Sequence, residues 1–135
     1  MTINPITPPD IISLSPGEVF VFGSNLAGRH GKGAALTALR FGAIRGVPMG
    51  PAGNTYAIAT KDQSLQTLPL WIIEQQVRVF RAYATLNPGT RFLVTAIGCG
   101  LAGLKPQDVA PMFRDCPRNI SLPLEFVNVL DEDAS

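Results

Sequence analysis

The chain of 135 residues has few cysteines, few aromatic side chains and almost no excess of charge of either sign. Its two cysteines, Cys99 and Cys116, and its one histidine, His30, are too few and too widely spaced for a disulfide framework or a zinc site. We therefore predict neither a metal nor another cofactor. Reduced thiols are typical of a reducing compartment, so we expect a cytoplasmic protein.

Charged residues make up only 16% of the chain, and 11 Lys and Arg against 10 Asp and Glu leave a formal net charge of +1. This near-neutral balance excludes broad electrostatic wrapping of nucleic acid or of an anionic membrane. An anionic partner has to be bound locally, and a local contact with nucleic acid stays open.

The sequence also lacks a long apolar run. No segment reaches the roughly 18 apolar residues of a membrane span, and residues 1–10 have no basic segment followed by an apolar one, so no membrane partner is predicted. Hydrophobic residues still make up 46% of the chain, beside 13 Gly and 12 Pro, which is typical of a globular protein with many shaped loops. We predict one domain over 1–135, with its core at about 15–130 and a flexible N-terminal arm and acidic C-terminal tail.

Short β-branched and aromatic runs predict four buried strands. Helical spacing of apolar residues between these runs predicts helices, so the predicted class is α/β, with a mostly parallel sheet covered on both faces. Such sheets bind ligands outside the carboxyl ends of their strands. The predicted strands are Glu18–Phe22, Thr55–Thr60, Arg91–Ile97 and Glu125–Leu130.

Three helices are predicted between the strands. The first begins just after Gly31–Gly33 and ends at Gly42, and the third runs from Pro106 to Arg114, with Pro111 expected to shorten or kink it. The second follows Thr67 as a candidate N-cap. Its buried stripe is Ile73, Val77, Phe80 and Ala84, and the aromatic residues assigned to the core are Tyr56, Trp71 and Phe80.

Two glycine-rich loops follow predicted strands, at 23–33 and 98–103. The first is not a Walker loop, because Leu26 and Gly33 stand where that motif requires Gly and Ser or Thr, and it does not fit G-x-G-x-x-G. Glycine lets a backbone approach a ligand closely, so two such loops on one rim of a sheet offer amides to a diphosphate from both sides. The alternative is that both are simply tight turns.

Four segments resemble the macro domains: Gly23–Asn25, His30–Leu36, Ala59–Lys61 and Ile97–Leu104. The most similar branch contains terminal ADP-ribose glycohydrolases and the antitoxins of DNA-ADP-ribosylating toxins, and the likeness extends from about Val19 to Phe113. That branch has a Met-Gly-Lys-Gly-Ile-Ala-Leu type of segment, in which this chain has His30 and Ala34 in place of Met and Ile. The resemblance implies a three-layer fold, with a mixed, mostly parallel sheet between helices.

The resemblance also implies that ADP-ribose, free or attached to a substrate, is bound by the two loops through its diphosphate and distal ribose. Asn25 is implied to face the distal ribose, although an Asx-turn that organises the loop is the alternative. The residues implied to contact the ligand are Gly23, Ser24, Asn25, Gly31, Lys32, Gly33, Ala34, Thr60, Gly98, Cys99, Gly100, Leu101, Ala102 and Gly103.

Lys61 is implied to be the nucleophile that attacks C1″ of the distal ribose and forms an imine-type adduct. An amine is nucleophilic only when uncharged, so this role requires a pocket that favours the uncharged form; the alternative is an ordinary solvated lysine. Asp62 beside it is expected to point to the opposite face. Some members of the branch carry a catalytic aspartate where this chain has Ala102. Its absence argues against hydrolysis of glutamate-linked ADP-ribose by the full mechanism, but leaves binding and lysine-dependent hydrolysis open.

Four further side chains of the loops bear on the chemistry. His30 and Cys99 would form a thiol–imidazole pair if they met, but an exposed His30 and a loop-packing Cys99 are the favoured interpretation. Arg29 and Lys32 either contribute charge to a bound phosphate or face water.

Three hypotheses for function follow from the sequence. The first is an enzyme that hydrolyses ADP-ribosyl linkages, with Lys61 as nucleophile and Asn25 positioning the ribose. The second is a non-catalytic module that binds or sequesters ADP-ribose or a related signalling nucleotide. The third is a NAD- or nucleotide-binding regulator of another doubly wound type. The acceptor that carries the ADP-ribose and the oligomeric state are not predicted.

Overall fold

The sheet is built around strand β1 (Glu18–Asn25). In the computed structural model, which describes residues 2–134, β1 is flanked by β3 (Thr55–Lys61) and β4 (Arg91–Val94), both parallel to it. Beyond β3 lies the antiparallel β2 (Gly50–Ala52), and beyond β4 the parallel β5 (Ile120–Ser121). The order β2-β3-β1-β4-β5 is a mixed, mostly parallel sheet.

Within residues 2–134, four α-helices and two 3₁₀ turns connect and follow these strands. The predicted α/β class is confirmed, and so is the shortening of the third helix at Pro111, which lies in a 3₁₀ turn. The helices are α1 (Gly33–Ala38), α2 (Leu70–Thr85), α3 (Pro106–Val109) and α4 (Leu124–Ala134), and the 3₁₀ turns are Leu39–Phe41 and Ala110–Phe113.

Helices cover both faces of the sheet because successive residues of a strand point to opposite sides. Val21 of β1 belongs to the larger apolar cluster, which includes buried residues of α2, α3 and α4. Its neighbours Phe20 and Phe22 belong to a second cluster with Ala35 and Ala38 of α1. The apolar core is therefore divided by the sheet into two layers.

The fourth predicted strand is wrong, since Glu125–Leu130 lies within α4 and the last strand, β5, comes just before it. Phe126, Val127, Val129 and Leu130 are buried. Positions i, i+3 and i+4 share one face of a helix, so the same apolar residues that resemble a strand also form a helical face. A short apolar run does not distinguish the two, and here the helix packs against the core.

Two predictions for α2 are also corrected. Its N-cap is Pro69 and not Thr67, whose hydroxyl instead donates to the Ala102 carbonyl oxygen at 2.6 Å. Trp71 is 66% exposed and not part of the core, because it lies two residues, or about 200° of helical rotation, from the buried Ile73. The predicted stripe from Ile73 to Ala84 is fully buried, as expected.

The N-terminal arm is hydrogen-bonded along the edge of the sheet. The Leu122 amide donates to the Pro5 carbonyl at 2.9 Å, and the Thr7 amide donates to the Leu122 carbonyl at 2.8 Å. The buried Asn4 side chain donates to the Pro117 carbonyl at 2.8 Å. These bonds place the arm beyond β5 and close to the start of α4. No helix within residues 2–134 is both long and apolar enough to cross a bilayer.

The chain reverses its direction of winding at β1. It runs outward from β1 to β3 and then returns to the other side of β1 at β4. Because these three strands are parallel, the loops that follow them leave the same edge of the sheet. Doubly wound sheets bind ligands at the point where the winding reverses, so a ligand site is expected at the loops after β1 and β4.

Candidate functional site

A cleft of about 820 Å³ lies between the loops that follow β1, β3 and β4. Every residue that the resemblance assigned to ligand contact lines it except Gly103, and Lys61 lines it too. Ala35 and Ile97, which also line the cleft, lie within the segments that resemble macro domains. Five other lining residues were not predicted from the sequence. Glu125 was missed because it was assigned to a strand, and the others carried no pattern that points to a ligand: Leu65, Thr95, Ala96 and Pro106.

The first loop is fixed by hydrogen bonds to the segment 44–48. The Ser24 hydroxyl donates to the Pro48 carbonyl, and the Gly46 amide donates to the Gly28 carbonyl at 2.8 Å. Gly28 has φ +65°, and a Cβ there would lie 2.8 Å from the backbone of Gly46. This position requires glycine for the chain conformation alone. The loop is thus held in a defined shape before any ligand binds.

His30 is fully buried, so the expectation that it is exposed is wrong. Its Nε2 lies 3.0 Å from the Ile44 carbonyl oxygen and 3.1 Å from that of Val47, which makes Nε2 the protonated nitrogen. The ring edge contacts Phe22 with centroids 5.2 Å apart. These two carbonyls belong to the segment 44–47, and the sequence does not predict that this segment packs against His30. His30 stabilises the loop and does not line the cleft.

Cys99 lines the cleft but is not paired with His30. Its thiol donates to the Ile97 carbonyl at 3.6 Å. Burial, with the nearby carboxylates of Glu125 and Asp108, raises the pKa of the Cys99 thiol to about 11. The thiol is therefore protonated at neutral pH, and a thiolate nucleophile is not available there. This agrees with the interpretation of Cys99 as a packing residue.

The side-chain oxygen of Asn25 is hydrogen-bonded within the first loop. The residue is 9% exposed, and its Oδ1 accepts a hydrogen bond from the Arg29 amide at 3.3 Å. Its Nδ2 donates to no group in the described part of the chain, and the residue lines the cleft. The structure thus supports the Asx-type role for Oδ1 and leaves an amide donor for a ligand.

Lys61 is the last residue of β3 and lies opposite Asn25, after a bulge in the pairing of β1 with β3. The side chains of Lys61, Arg29 and Lys32 have no hydrogen-bond or ion-pair partner within residues 2–134. The Asp62 carboxylate is engaged in its own turn, where it accepts the amide of Ser64 at 2.8 Å, and it does not line the cleft. Among the described residues, the cleft is therefore lined by three unpaired cations and one carboxylate, that of Glu125.

Several backbone amides of the two loops are unpaired. They belong to residues that line the cleft, and they donate to no acceptor in the described part of the chain. Successive free amides in a loop favour an anion in their concavity. The donors are those of Gly31, Lys32, Gly98, Gly100, Leu101 and Ala102.

Gly28 is required by the conformation and packing of the backbone, but Gly31 and Gly100 are not. Neither has a left-handed φ, and a Cβ at either position would have no atom of the described residues within 4 Å. Neither backbone conformation nor packing therefore explains glycine at these two positions, one on each loop. Both line the cleft, where glycine leaves the backbone accessible to a ligand.

A second cleft of about 580 Å³ lies beside the first, under the N-terminal arm. The two share Ala34, Thr95, Ala96 and Glu125 as lining residues. The second cleft is lined by residues 6–12 together with residues of β1, α1 and α4, and its charged side chains are those of Asp10, Arg40 and Glu125. Thr7 lines it as well, and its buried hydroxyl oxygen has no hydrogen-bond partner among residues 2–134.

Comparisons of the chain with protein-family models, with curated proteins and with solved structures gave no match. The resemblance to macro domains therefore rests on the four sequence segments and stays a prediction. Within residues 2–134, no three His, Cys, Asp or Glu side chains converge to hold a metal ion.

Proposed function

We propose that the two clefts together bind an ADP-ribose-type nucleotide, in a fold of the macro-domain type. The observation that carries this proposal is the pair Gly31 and Gly100. Each is a glycine that neither φ nor packing requires, and the two lie on different loops of one cleft. A ligand whose charged part passes between two backbones explains both positions.

The charges of the first cleft support a diphosphate. Arg29, Lys32 and Lys61 are unpaired there, beside the six free amides of the loops. Amides and cations together bind phosphate oxygens through charge-assisted hydrogen bonds. The same arrangement has little to offer a neutral ligand, which favours an anion over an apolar compound.

The second cleft supports a nucleoside at one end of the ligand. It adjoins the first through shared lining residues, so a ligand that fills both has to be elongated. The carboxylate of Asp10 accepts hydrogen bonds from an exocyclic amine, and the apolar arm residues Ile11 and Ile12 offer a surface to a flat base. A nucleotide with a diphosphate in its middle has this distribution of groups.

We further propose that Lys61 hydrolyses an ADP-ribosyl linkage, as the resemblance implies. Its Nζ forms a bond to C1″ while the bond from C1″ to the acceptor breaks, and the acceptor leaves with the electron pair and takes up a proton. Water then cleaves the adduct, which restores the amine and releases ADP-ribose. The absence of an ion-pair partner for Lys61 within the described residues supports this role.

Two free cysteines support the expected cytoplasmic location.

A non-catalytic binding module is the second candidate. It is favoured by Ala102, which lines the cleft where some glycohydrolases of the resembled branch carry a catalytic carboxylate. Binding needs the loops and the unpaired amides, but not the amine of Lys61. Turnover therefore separates the two candidates, whereas affinity does not.

The proposal is tested by isothermal titration of the purified protein with ADP-ribose, AMP and NAD at one salt concentration. We expect micromolar binding of ADP-ribose and much weaker binding of AMP, which lacks the second phosphate and the distal ribose. NAD should also bind weakly, because its nicotinamide occupies the C1″ position. Equal affinity for NAD and ADP-ribose would favour a general nucleotide-binding regulator, and no binding of any of the three would overturn the proposal.

Replacing Asn25 with alanine should weaken ADP-ribose binding by about 1–3 kcal/mol, because a ribose hydroxyl loses its partner. Asn25→Asp separates the two roles of the side chain. It keeps the oxygen that accepts the Arg29 amide but loses the Nδ2 donor. We expect both variants to bind weakly in the same titration. If Asn25→Asp binds like the natural protein while Asn25→Ala does not, the residue acts only through the loop.

A further inference from the structure

Glu125 stands out because it is an acidic residue in a site proposed for an anionic ligand. It lies in the first turn of α4 and lines both clefts. It is exposed to solvent, so packing does not explain it. Around the first cleft, it is the one carboxylate among the described lining residues, which include three cations.

The charges divide the joined clefts into two halves. The first cleft has Arg29, Lys32 and Lys61 on its walls, whereas the second has Asp10 and Arg40. Glu125 lies where the two meet and gives the second cleft an excess of negative charge. An elongated nucleotide fits this division in one direction only, with its diphosphate in the first cleft and its nucleoside in the second.

We propose that Glu125 accepts hydrogen bonds from the 2′- and 3′-hydroxyls of the nucleoside ribose and excludes nucleotides in which one of these two hydroxyls carries a phosphate. A carboxylate has two acceptor oxygens and no donor, so it binds a pair of neighbouring hydroxyls and repels a phosphate. The same discrimination by an acidic residue separates NAD from NADP in dinucleotide-binding folds of another type. This inference rests on the proposed function and identifies which nucleotides the site admits.

The test is a titration of the full chain with ADP-ribose and with ADP-ribose 2′-phosphate, which differ by one phosphate. We expect the natural protein to bind ADP-ribose 2′-phosphate at least about tenfold more weakly than ADP-ribose. Glu125→Gln should narrow the ratio of the two dissociation constants severalfold. It weakens the binding of ADP-ribose by roughly threefold to tenfold, and it removes the repulsion between the carboxylate and the 2′-phosphate. Glu125→Asp, which keeps the charge on a shorter side chain, should retain part of the ratio.

Glu74→Gln is the matched control. It removes the same negative charge from a surface ion pair with Arg78 on α2, outside both clefts, and should leave the ratio unchanged. The ratio compares two ligands on one protein, so a smaller folded fraction of Glu125→Gln lowers both apparent affinities equally and does not change the ratio. Thermal unfolding of each variant confirms that it is folded.

The outcomes separate this inference from the proposed function. If the natural protein binds ADP-ribose but does not discriminate, or if Glu125→Gln keeps the full ratio, the role of Glu125 is wrong and the proposed function stands. The same conclusion follows if Glu74→Gln narrows the ratio equally, since net charge is then the cause. If the folded natural protein does not bind ADP-ribose at all, both are overturned.

Discussion

Replacing Gly100 with valine should abolish ADP-ribose binding without unfolding the chain. A Cβ at this position has no atom of residues 2–134 within 4 Å, and the backbone φ is not left-handed, so the substitution costs the fold little. A glycine replaced at a compatible conformation stabilises a protein by about 0.4–1 kcal/mol, because the unfolded chain loses freedom. The new side chain enters the cleft and separates the loop amides from the ligand. We expect the Kd to rise at least roughly a hundredfold, or about 2.7 kcal/mol.

Two measurements on each variant check this prediction, which are titration with ADP-ribose and thermal unfolding. Gly89→Val is the matched control, because Gly89 also has no left-handed φ and open space at its Cβ, but lies in an exposed turn outside the cleft. It should bind ADP-ribose normally. Gly31→Val makes the same test on the other loop and should also abolish binding.

A folded Gly100→Val variant with normal affinity would mean that the second loop does not contact the ligand. The unpaired amides of that loop would then need another explanation. If Gly31→Val loses binding while Gly100→Val keeps it, a single loop holds the anion, and the proposal of a diphosphate held from both sides is wrong.

The sequence predicted most of the sheet because its central strands are buried on both faces. Strands β1, β3 and β4 are continuous apolar runs followed by glycine or a polar residue, and each was located within a few residues. The last strand was misplaced because β5 has only two residues, too few to show a period of two. The apolar run after it has spacing that fits a strand and a helix equally well.

The part of the site that was predicted consists of residues that follow strands along the chain. Asn25 and Lys61 end two parallel strands and Gly100 lies in the loop that follows a third, and the topology of such a sheet places those positions together. What the sequence did not indicate depends on contacts between distant segments. Glu125 reaches the cleft from the last helix, and His30 is held by carbonyls that local sequence does not locate. Such contacts are properties of the folded chain and leave no local pattern.

Replacing Lys61 with alanine should stop turnover and leave most of the affinity for ADP-ribose. Only the covalent step needs the amine, whereas the unpaired amides and the other two cations still bind the diphosphate. We expect the release of ADP-ribose from an ADP-ribosylated oligonucleotide to fall by roughly a thousandfold or more, or about 4 kcal/mol. The Kd for ADP-ribose should rise by less than about tenfold, since one cation in contact with solvent contributes about 1 kcal/mol.

Lys61→Arg is the sharper variant for this mechanism, because it keeps a positive charge that does not deprotonate and is therefore no nucleophile. It should bind ADP-ribose like the natural protein and release none. Cyanoborohydride reduces an imine to a stable amine, so its addition during turnover should attach ADP-ribose covalently to the natural protein. Mass spectrometry should locate the attached group at Lys61, and neither variant should carry it. Turnover by Lys61→Arg at the natural rate would remove the amine from the mechanism. A natural protein that binds ADP-ribose and releases none, from an oligonucleotide or from glutamate-linked protein, would be a binding module, with Lys61 acting as one of three cations around the diphosphate.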